Sequence, residues 1–222
     1  MKITFLISFC FLFLLNIESI KAQHTDTKFL DSIDTPFKKG RWLTGLDGII
    51  SSSTSEVAGI EGRTTTNQYG LNLTTGKFIK NRLLFGGTLQ AQRSSSSGIV
   101  ERATETLFVG PLGNYYLSNN KKGALFIQLA PGYVRYLDEA AINQVSQTTQ
   151  INSEGNGFGA IIGVGYSYVI NDRIAFDLAF NVNNFWITVD TVSTTGTISD
   201  TITVSDTLFS FGFNVLLDDF FF

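Results

Sequence analysis

The sequence predicts an all-β protein: an eight-stranded antiparallel up-and-down transmembrane β-barrel. Three observations predict it. Apolar residues alternate with polar or small ones at period two through most of the chain, which is the pleat of a strand. The connections between these stretches alternate between short and long. The two faces also differ in kind: Gly, Ser, Thr, Asn and Gln on one, Phe, Tyr, Leu, Ile and Val on the other. A narrow lumen takes the first set and a hydrocarbon exterior takes the second.

The first 22 residues are separate from that fold. Lys2 gives a positive start, Ile3 to Leu15 an apolar run, and Ala22 a small residue for cleavage before Gln23. This is the pattern of a secretory signal peptide. The alternative, an uncleaved anchor helix, has an apolar core short for a membrane span. Cys10 follows Phe9 rather than the small residue a lipidated cysteine requires. Removal of residues 1–22 takes Lys+Arg from 16 to 14 and Asp+Glu from 19 to 18, a mature charge of −4, and takes the one cysteine with it. What remains is an exported chain with no disulfides and no basic field for nucleic acid. Its length, about 200 residues, suits one domain.

A short periplasmic lead-in, 23–39, is expected before the barrel at 40–217. The first strand, about 40–52, sets Trp42, Leu46 and Ile50 against Arg41, Gly45 and Asp47. The second, about 64–77, sets Tyr69, Leu71 and Leu73 against Gln68, Gly70, Asn72 and Thr74. In the third, about 82–93, Leu83, Phe85, Leu89 and Ala91 oppose Gly86, Thr88, Gln90 and Gln92. The fourth, about 102–117, places Leu107, Val109 and Tyr115 opposite Thr104, Thr106, Gly110 and Asn114. The fifth, about 124–137, sets Leu125, Ile127, Leu129 and Tyr133 against Gln128, Ala130 and Gly132.

The sixth, about 155–170, is the one most easily mistaken for a helix. Gly155, Gly157, Gly159, Gly163 and Gly165 fall on odd positions, and Phe158, Ala160, Ile162, Val164, Tyr166 and Tyr168 on even ones. Five glycines in a helix cost about 1 kcal/mol each relative to alanine, and the apolar run stops at Asn171, short of the roughly 20 residues a spanning helix needs. The seventh strand, about 173–189, sets Ile174, Phe176, Leu178, Phe180 and Val182 against Ala175, Asp177, Ala179, Asn181 and Asn183. The eighth, about 201–217, sets Phe209, Phe211, Phe213, Val215 and Leu217 against Ser210, Gly212 and Asn214.

Three connections are short, at 77–82, 118–123 and 171–173; four polar segments, about 53–63, 94–101, 138–154 and 190–200, read as longer loops. Short turns at one end and long loops at the other are the plan of a transmembrane barrel with an even strand number. Residues 218–222 form an aromatic tail. Phe222 is a terminal aromatic like the signal read by the outer-membrane assembly machinery, although Asp219 breaks the parity of the last strand and the tail also reads as a frayed end.

With the strands placed, three stretches resemble the outer-membrane β-barrel domain family that includes PorT-like proteins and relatives of the OmpA barrel: "GKFIKNRLLFGGTLQ" (76–90), "LFVGPLGNYYLSNNKKGALFIQLAPGYVRY" (107–136) and "GVGYSYVINDRIAFDLAF" (163–180). One departure is visible: members often carry a basic residue before the paired tyrosines, where this chain has Asn114. The resemblance implies a bacterial outer-membrane location and lipid and the assembly machinery as partners, and it allows membership of a secretion or envelope complex.

Catalytic chemistry is not expected. The one histidine, His24, lies in the lead-in, and no Cys/His or carboxylate group has metal-ligand spacing. Gly155-x-Gly157-x-Gly159 lacks the third glycine offset of a dinucleotide fingerprint. No catalytic residue, metal or cofactor is assigned. The candidate site is a polar plug in the lumen built from Arg41, Asp47, Arg173 and Asp177, with Asp177 meeting Arg173 or Arg41 to close the pore, because interior charges need partners. The expected function is that of a monomeric closed barrel displaying polar loops, structural or interactive in role. A narrow channel for small or hydrophobic solutes, or a component of a secretion complex, are the alternatives.

Overall fold

The computed structural model describes residues 35–56, 63–97, 101–118, 120–144, 147–193 and 196–218. Eight strands form a closed barrel in sequence order: β1 (Trp42–Glu56), β2 (Arg63–Lys80), β3 (Leu83–Ser97), β4 (Glu101–Tyr116), β5 (Gly123–Gln144), β6 (Gln147–Asn171), β7 (Ile174–Ser193) and β8 (Gly196–Leu217). Every strand is antiparallel to its neighbours, and β1 closes on β8 from Trp42↔Leu217 to Ile50↔Phe209. Beyond Phe209, β8 continues to Gly196 paired with β7.

The alternation read from the sequence sets which side chains face which way. Phe211 and Tyr166 are 38% and 41% exposed, whereas Gln90 and Asn181 are 3% and 4% exposed. The aromatic and aliphatic residues therefore face outward, and the amides, hydroxyls and glycines line the interior. Glycine is needed inside for space. A Cβ on Gly165 would lie 2.5 Å from Cζ of Phe126 and 2.8 Å from Cβ of Ala179, and one on Gly159 would collide with the Phe185 ring. The β6 glycines thus make room for large side chains of β5 and β7.

Outside, the apolar residues form a belt. On β7 it runs from Ile174 to Val182 and, past Asn184, ends at Trp186, a rise on the order of 30 Å for a tilted strand, about the thickness of a hydrocarbon core. Aromatic side chains mark both rims. Tyr133 packs edge-on against Phe158, with ring centroids 6.3 Å apart, and Phe158 pairs with Trp186 toward the loop end. Trp42, Tyr115 and Tyr168 stand at the turn end.

Two of the predicted loops are not loops. Segments 138–154 and 190–200 lie largely in strand, because β5 and β6 stay paired from Gly123↔Tyr168 to Gln144↔Gln147, and β7 and β8 to Ser193↔Gly196. β5, β6 and β8 reach 22, 25 and 22 residues, far beyond the roughly 9–11 needed to cross a bilayer. Residues 197–200 are exposed on both faces, and there the side-chain alternation that reveals a strand is lost while backbone pairing continues.

At the other end the turns are tight. Arg82 takes φ 68° to close the β2–β3 turn, next to a register shift between Phe78 and Lys80. That left-handed conformation is uncommon outside glycine.

Candidate functional site: the lumen and its vestibule

The lumen is layered along the barrel axis. At the turn end the chain before β1 folds into the mouth. Phe37 is fully buried and stacks on Tyr116, with ring centroids 4.0 Å apart and planes 17° from parallel. Phe78 and Phe126 pack against the same tyrosine at 5.6 Å. Backbone bonds anchor the segment: Arg82 N donates to Phe37 O at 2.9 Å, and Gly40 N to Phe78 O at 2.8 Å. Residues 35–39 of the lead-in stopper the barrel, while 23–34 lie outside the described residues.

Above the aromatic stopper is a polar layer. Thr88 Oγ1 donates to Asn72 Oδ1 at 2.6 Å, and Asn72 Nδ2 donates to Asp47 Oδ2 at 3.1 Å. Across the lumen, Gln128 Nε2 donates to Asn181 Oδ1 at 2.8 Å, and Asn181 Nδ2 to Ser210 Oγ at 3.0 Å. The space left among these groups is a cavity of about 20 Å³, enough for a single water. A second apolar layer follows. Phe108 and Phe185 stack at 5.7 Å, and Ile187 belongs to the same buried cluster.

The four residues expected to form the plug divide. Asp47 and Asp177 enter the polar layer, and both pair in register with Gly212, whose missing side chain leaves them room. The arginines do not join them. Arg173 is exposed, because Asn171 Oδ1 accepts from the backbone nitrogens of Arg173 and Ile174 (both 2.9 Å) and ends the turn before β7 begins. Arg41 is buried at the mouth, where Nη1 donates to Pro36 O (3.0 Å) and Nη2 to Asp172 O (2.7 Å). Its Nε also lies 2.8 Å from Asp218 Oδ1. Among the described residues neither arginine forms an ion pair with Asp177. Arg41 ties the N-terminal segment, the β6–β7 turn and the end of β8 together, and the closing groups are aromatic. The sequence reading missed Phe37, Phe78 and Tyr116; parity alone puts Phe78 and Tyr116 inward, but nothing local points Phe37 there.

Beyond the second apolar layer the barrel widens into a vestibule of about 610 Å³ at the loop end, lined by Gln68, Gln92, Arg102, Thr104, Tyr136 and Asp206 among others. Arg102 grips Asp138 through both Nε (2.7 Å) and Nη2 (2.5 Å), and Nη2 also reaches the Tyr136 hydroxyl at 3.4 Å. The Asp138 hydrogen bonds hold the Arg102 guanidinium more firmly protonated than an ordinary arginine. Burial, aided by the Asp138 charge, raises the Tyr136 phenol above its usual value. Both groups sit above the apolar belt. Among the described residues no three His, Cys, Asp or Glu side chains gather to hold a metal.

The profile of a family described as "Protein of unknown function, DUF481" matches residues 39–218, from just before β1 to just after β8. The chain belongs to this family. No curated protein sequence matches. Solved structures share the architecture. The outer membrane protein OprG from Pseudomonas aeruginosa aligns with a TM-score of 0.51 at 12% identity, over 83% of this chain and 99% of that one. The outer membrane protein AlkL, determined in DMPC lipid bilayers, aligns with a TM-score of 0.51 at 10% identity, over 82% of this chain and 92% of that one. At such identities the likeness is one of fold: a closed eight-stranded antiparallel barrel of the outer-membrane type.

Proposed function

We propose that the chain is an integral barrel of the bacterial outer membrane whose lumen does not conduct and whose working surface is the loop end. One observation carries this reading. The interior is filled by the Phe37–Tyr116 stopper, the polar layer and the Phe108–Phe185 layer, with a gap of about 20 Å³ between them, whereas about 610 Å³ opens toward the loops. A vestibule of that size falls within the range of ligand-binding clefts. The long β5–β6 and β7–β8 hairpins beside it raise a polar, strand-built wall on which a partner can dock.

The partners in this reading are outer-membrane lipid around the belt, the assembly machinery during insertion, and an envelope or secretion complex at the loops. The last rests on the resemblance to PorT-like proteins. Phe222, the proposed assembly signal, lies outside the described residues. The narrow-channel alternative requires Phe37 to leave the mouth and the polar and Phe108–Phe185 layers to part. Planar-bilayer recording tests the choice: the folded protein is expected to give no conductance steps, and steady single-channel currents from the unaltered chain would overturn the closed-lumen reading. Crosslinking from the vestibule rim followed by co-purification tests the docking role, and recovery of the barrel alone would count against it.

A further inference from the structure

The two ends of the barrel treat their charges differently. Toward the loops, each arginine with a described side chain has a carboxylate: Arg93 with Glu105 (2.9 Å), Arg102 with Asp138 (2.5 Å) and Arg135 with Glu154 (3.0 Å). Toward the turns, Lys39, Lys77, Lys80, Arg82, Lys122 and Arg173 have no carboxylate partner among the described residues. Among the described residues the acids at that end are Asp172 and Asp218, and Asp218 is taken by Arg41.

These cations gather at and just past the turn-end rim. Lys77 Nζ lies 5.6 Å from the centroid of the outward Trp42 ring, and the Arg82 guanidinium 5.5 Å from that of Tyr115. Both rings belong to the aromatic rim of the apolar belt, and such rims sit at headgroup depth. Lys80, Lys122 and Arg173 extend from the turns just past it. Cations without a carboxylate partner among the described residues, set along a lipid-facing rim, match a surface of phosphate charge.

We propose that the turn end is a binding surface for anionic phospholipid headgroups, a ring of lysine and arginine that selects phosphatidylglycerol-type lipid in the leaflet it faces. The proposal rests on the membrane reading above and adds a leaflet chemistry to it. The surface engages phosphate through Lys80, Arg82, Lys122 and Arg173, with Lys77 over the Trp42 ring and Arg82 over that of Tyr115. The loop end, whose described arginine side chains are already paired, has no such preference.

The test uses the full chain folded into phosphatidylcholine vesicles with trace spin-labelled lipid, read by electron spin resonance as the association of labelled phosphatidylglycerol relative to labelled phosphatidylcholine. A several-fold preference for phosphatidylglycerol is expected at low salt, falling toward one as ionic strength shortens the screening length. The quadruple variant Lys80→Gln, Arg82→Gln, Lys122→Gln, Arg173→Gln is expected to lose the preference, and Arg93→Gln with Arg135→Gln to keep it. Equal association of the two labels with the unaltered barrel, or a preference that survives the quadruple variant, overturns the proposal while leaving a folded membrane barrel. A chain that folds in neither phosphatidylcholine nor mixed vesicles overturns the membrane reading itself. If the quadruple variant fails to fold, the salt titration of the unaltered chain still decides: a salt-independent preference contradicts a charge-based surface.

Discussion

Leu129→Arg is the substitution that most directly tests the orientation of the barrel wall. Leu129 is the middle outward residue of β5 between Leu125 and Tyr133, and 53% of its surface is exposed. A strand tilted by about 40° climbs roughly 2.5 Å per residue, which puts Leu129 about 10 Å from each of those neighbours, near the middle of the belt. An arginine at the bilayer midplane of a barrel costs about 2–4 kcal/mol, falling to roughly 0–1 near the interface. At 1.4 kcal/mol per factor of ten, the folding equilibrium should shift by on the order of 30-fold to 1,000-fold. The chain contains its own control. Arg135 already projects outward on the same strand, above Tyr133, where it pairs with Glu154. Arg135→Leu should therefore change stability by less than about 1 kcal/mol. The assay is reversible urea unfolding of the barrel in lipid vesicles, followed by tryptophan fluorescence. In a water-soluble barrel with the opposite facing, an arginine at 129 would meet solvent and be nearly neutral. A Leu129→Arg stability within about 0.5 kcal/mol of the unaltered protein would refute the outward apolar wall.

Other expectations follow from the interior. Phe37→Ala removes a fully buried ring stacked at 4.0 Å on Tyr116; by the usual cost of such truncations it should destabilise the barrel by about 3–5 kcal/mol, measured in the same urea titration, while bilayer recordings stay silent because the layers above remain packed. Gly165→Ala should overpack the lumen against Phe126 and Ala179 at a cost of about 1–3 kcal/mol, and Phe126→Leu in the same chain should recover part of it, seen as a return of heat-resistant gel mobility. Tyr136 carries a phenol raised above its ordinary value by burial, so the folded state holds a proton that the unfolded chain loses. Its stabilising contribution is complete below the ordinary tyrosine range, about pH 10. As the pH rises, the unfolded chain ionises first, and stability falls with it. Tyr136→Phe should flatten that alkaline decline, and unfolding curves between neutral pH and pH 11 measure it.

Much of the architecture was legible in the residues because the belt imposes a strict parity. Wherever one face of a strand meets hydrocarbon and the other a crowded lumen, as at Tyr166 against Gly165 or Phe211 against Gly212, a shift by one residue would place a ring in the interior, so the pattern has to be clean. Outside the belt that pressure ends. The stretches 138–154 and 190–200 read as loops because Thr, Ser, Asn and Asp on both faces carry no alternation, although their backbones remain paired. The polar plug failed for a related reason. Parity put Arg41, Asp47 and Asp177 on the inner face, as found, but the turn at Asn171 displaced Arg173, and Arg41 found its partners in Pro36, Asp172 and Asp218.

The sequence by itself determined the strand count, the closed antiparallel order, the outward direction of the aromatics and the inward row of glycines. Each follows from local periodicity and from the size of side chain that either face tolerates. Only the tertiary structure decided what closes the lumen. Phe37 belongs to no strand and carries no periodic signal, so its place beneath Tyr116 depends on how the barrel's end is shaped once β1 meets β8. The tertiary structure also decided that the turn-end cations stand along one rim while the loop-end arginines are neutralised by neighbours. Charges far apart in the chain become one surface only when the strands that carry them are set side by side.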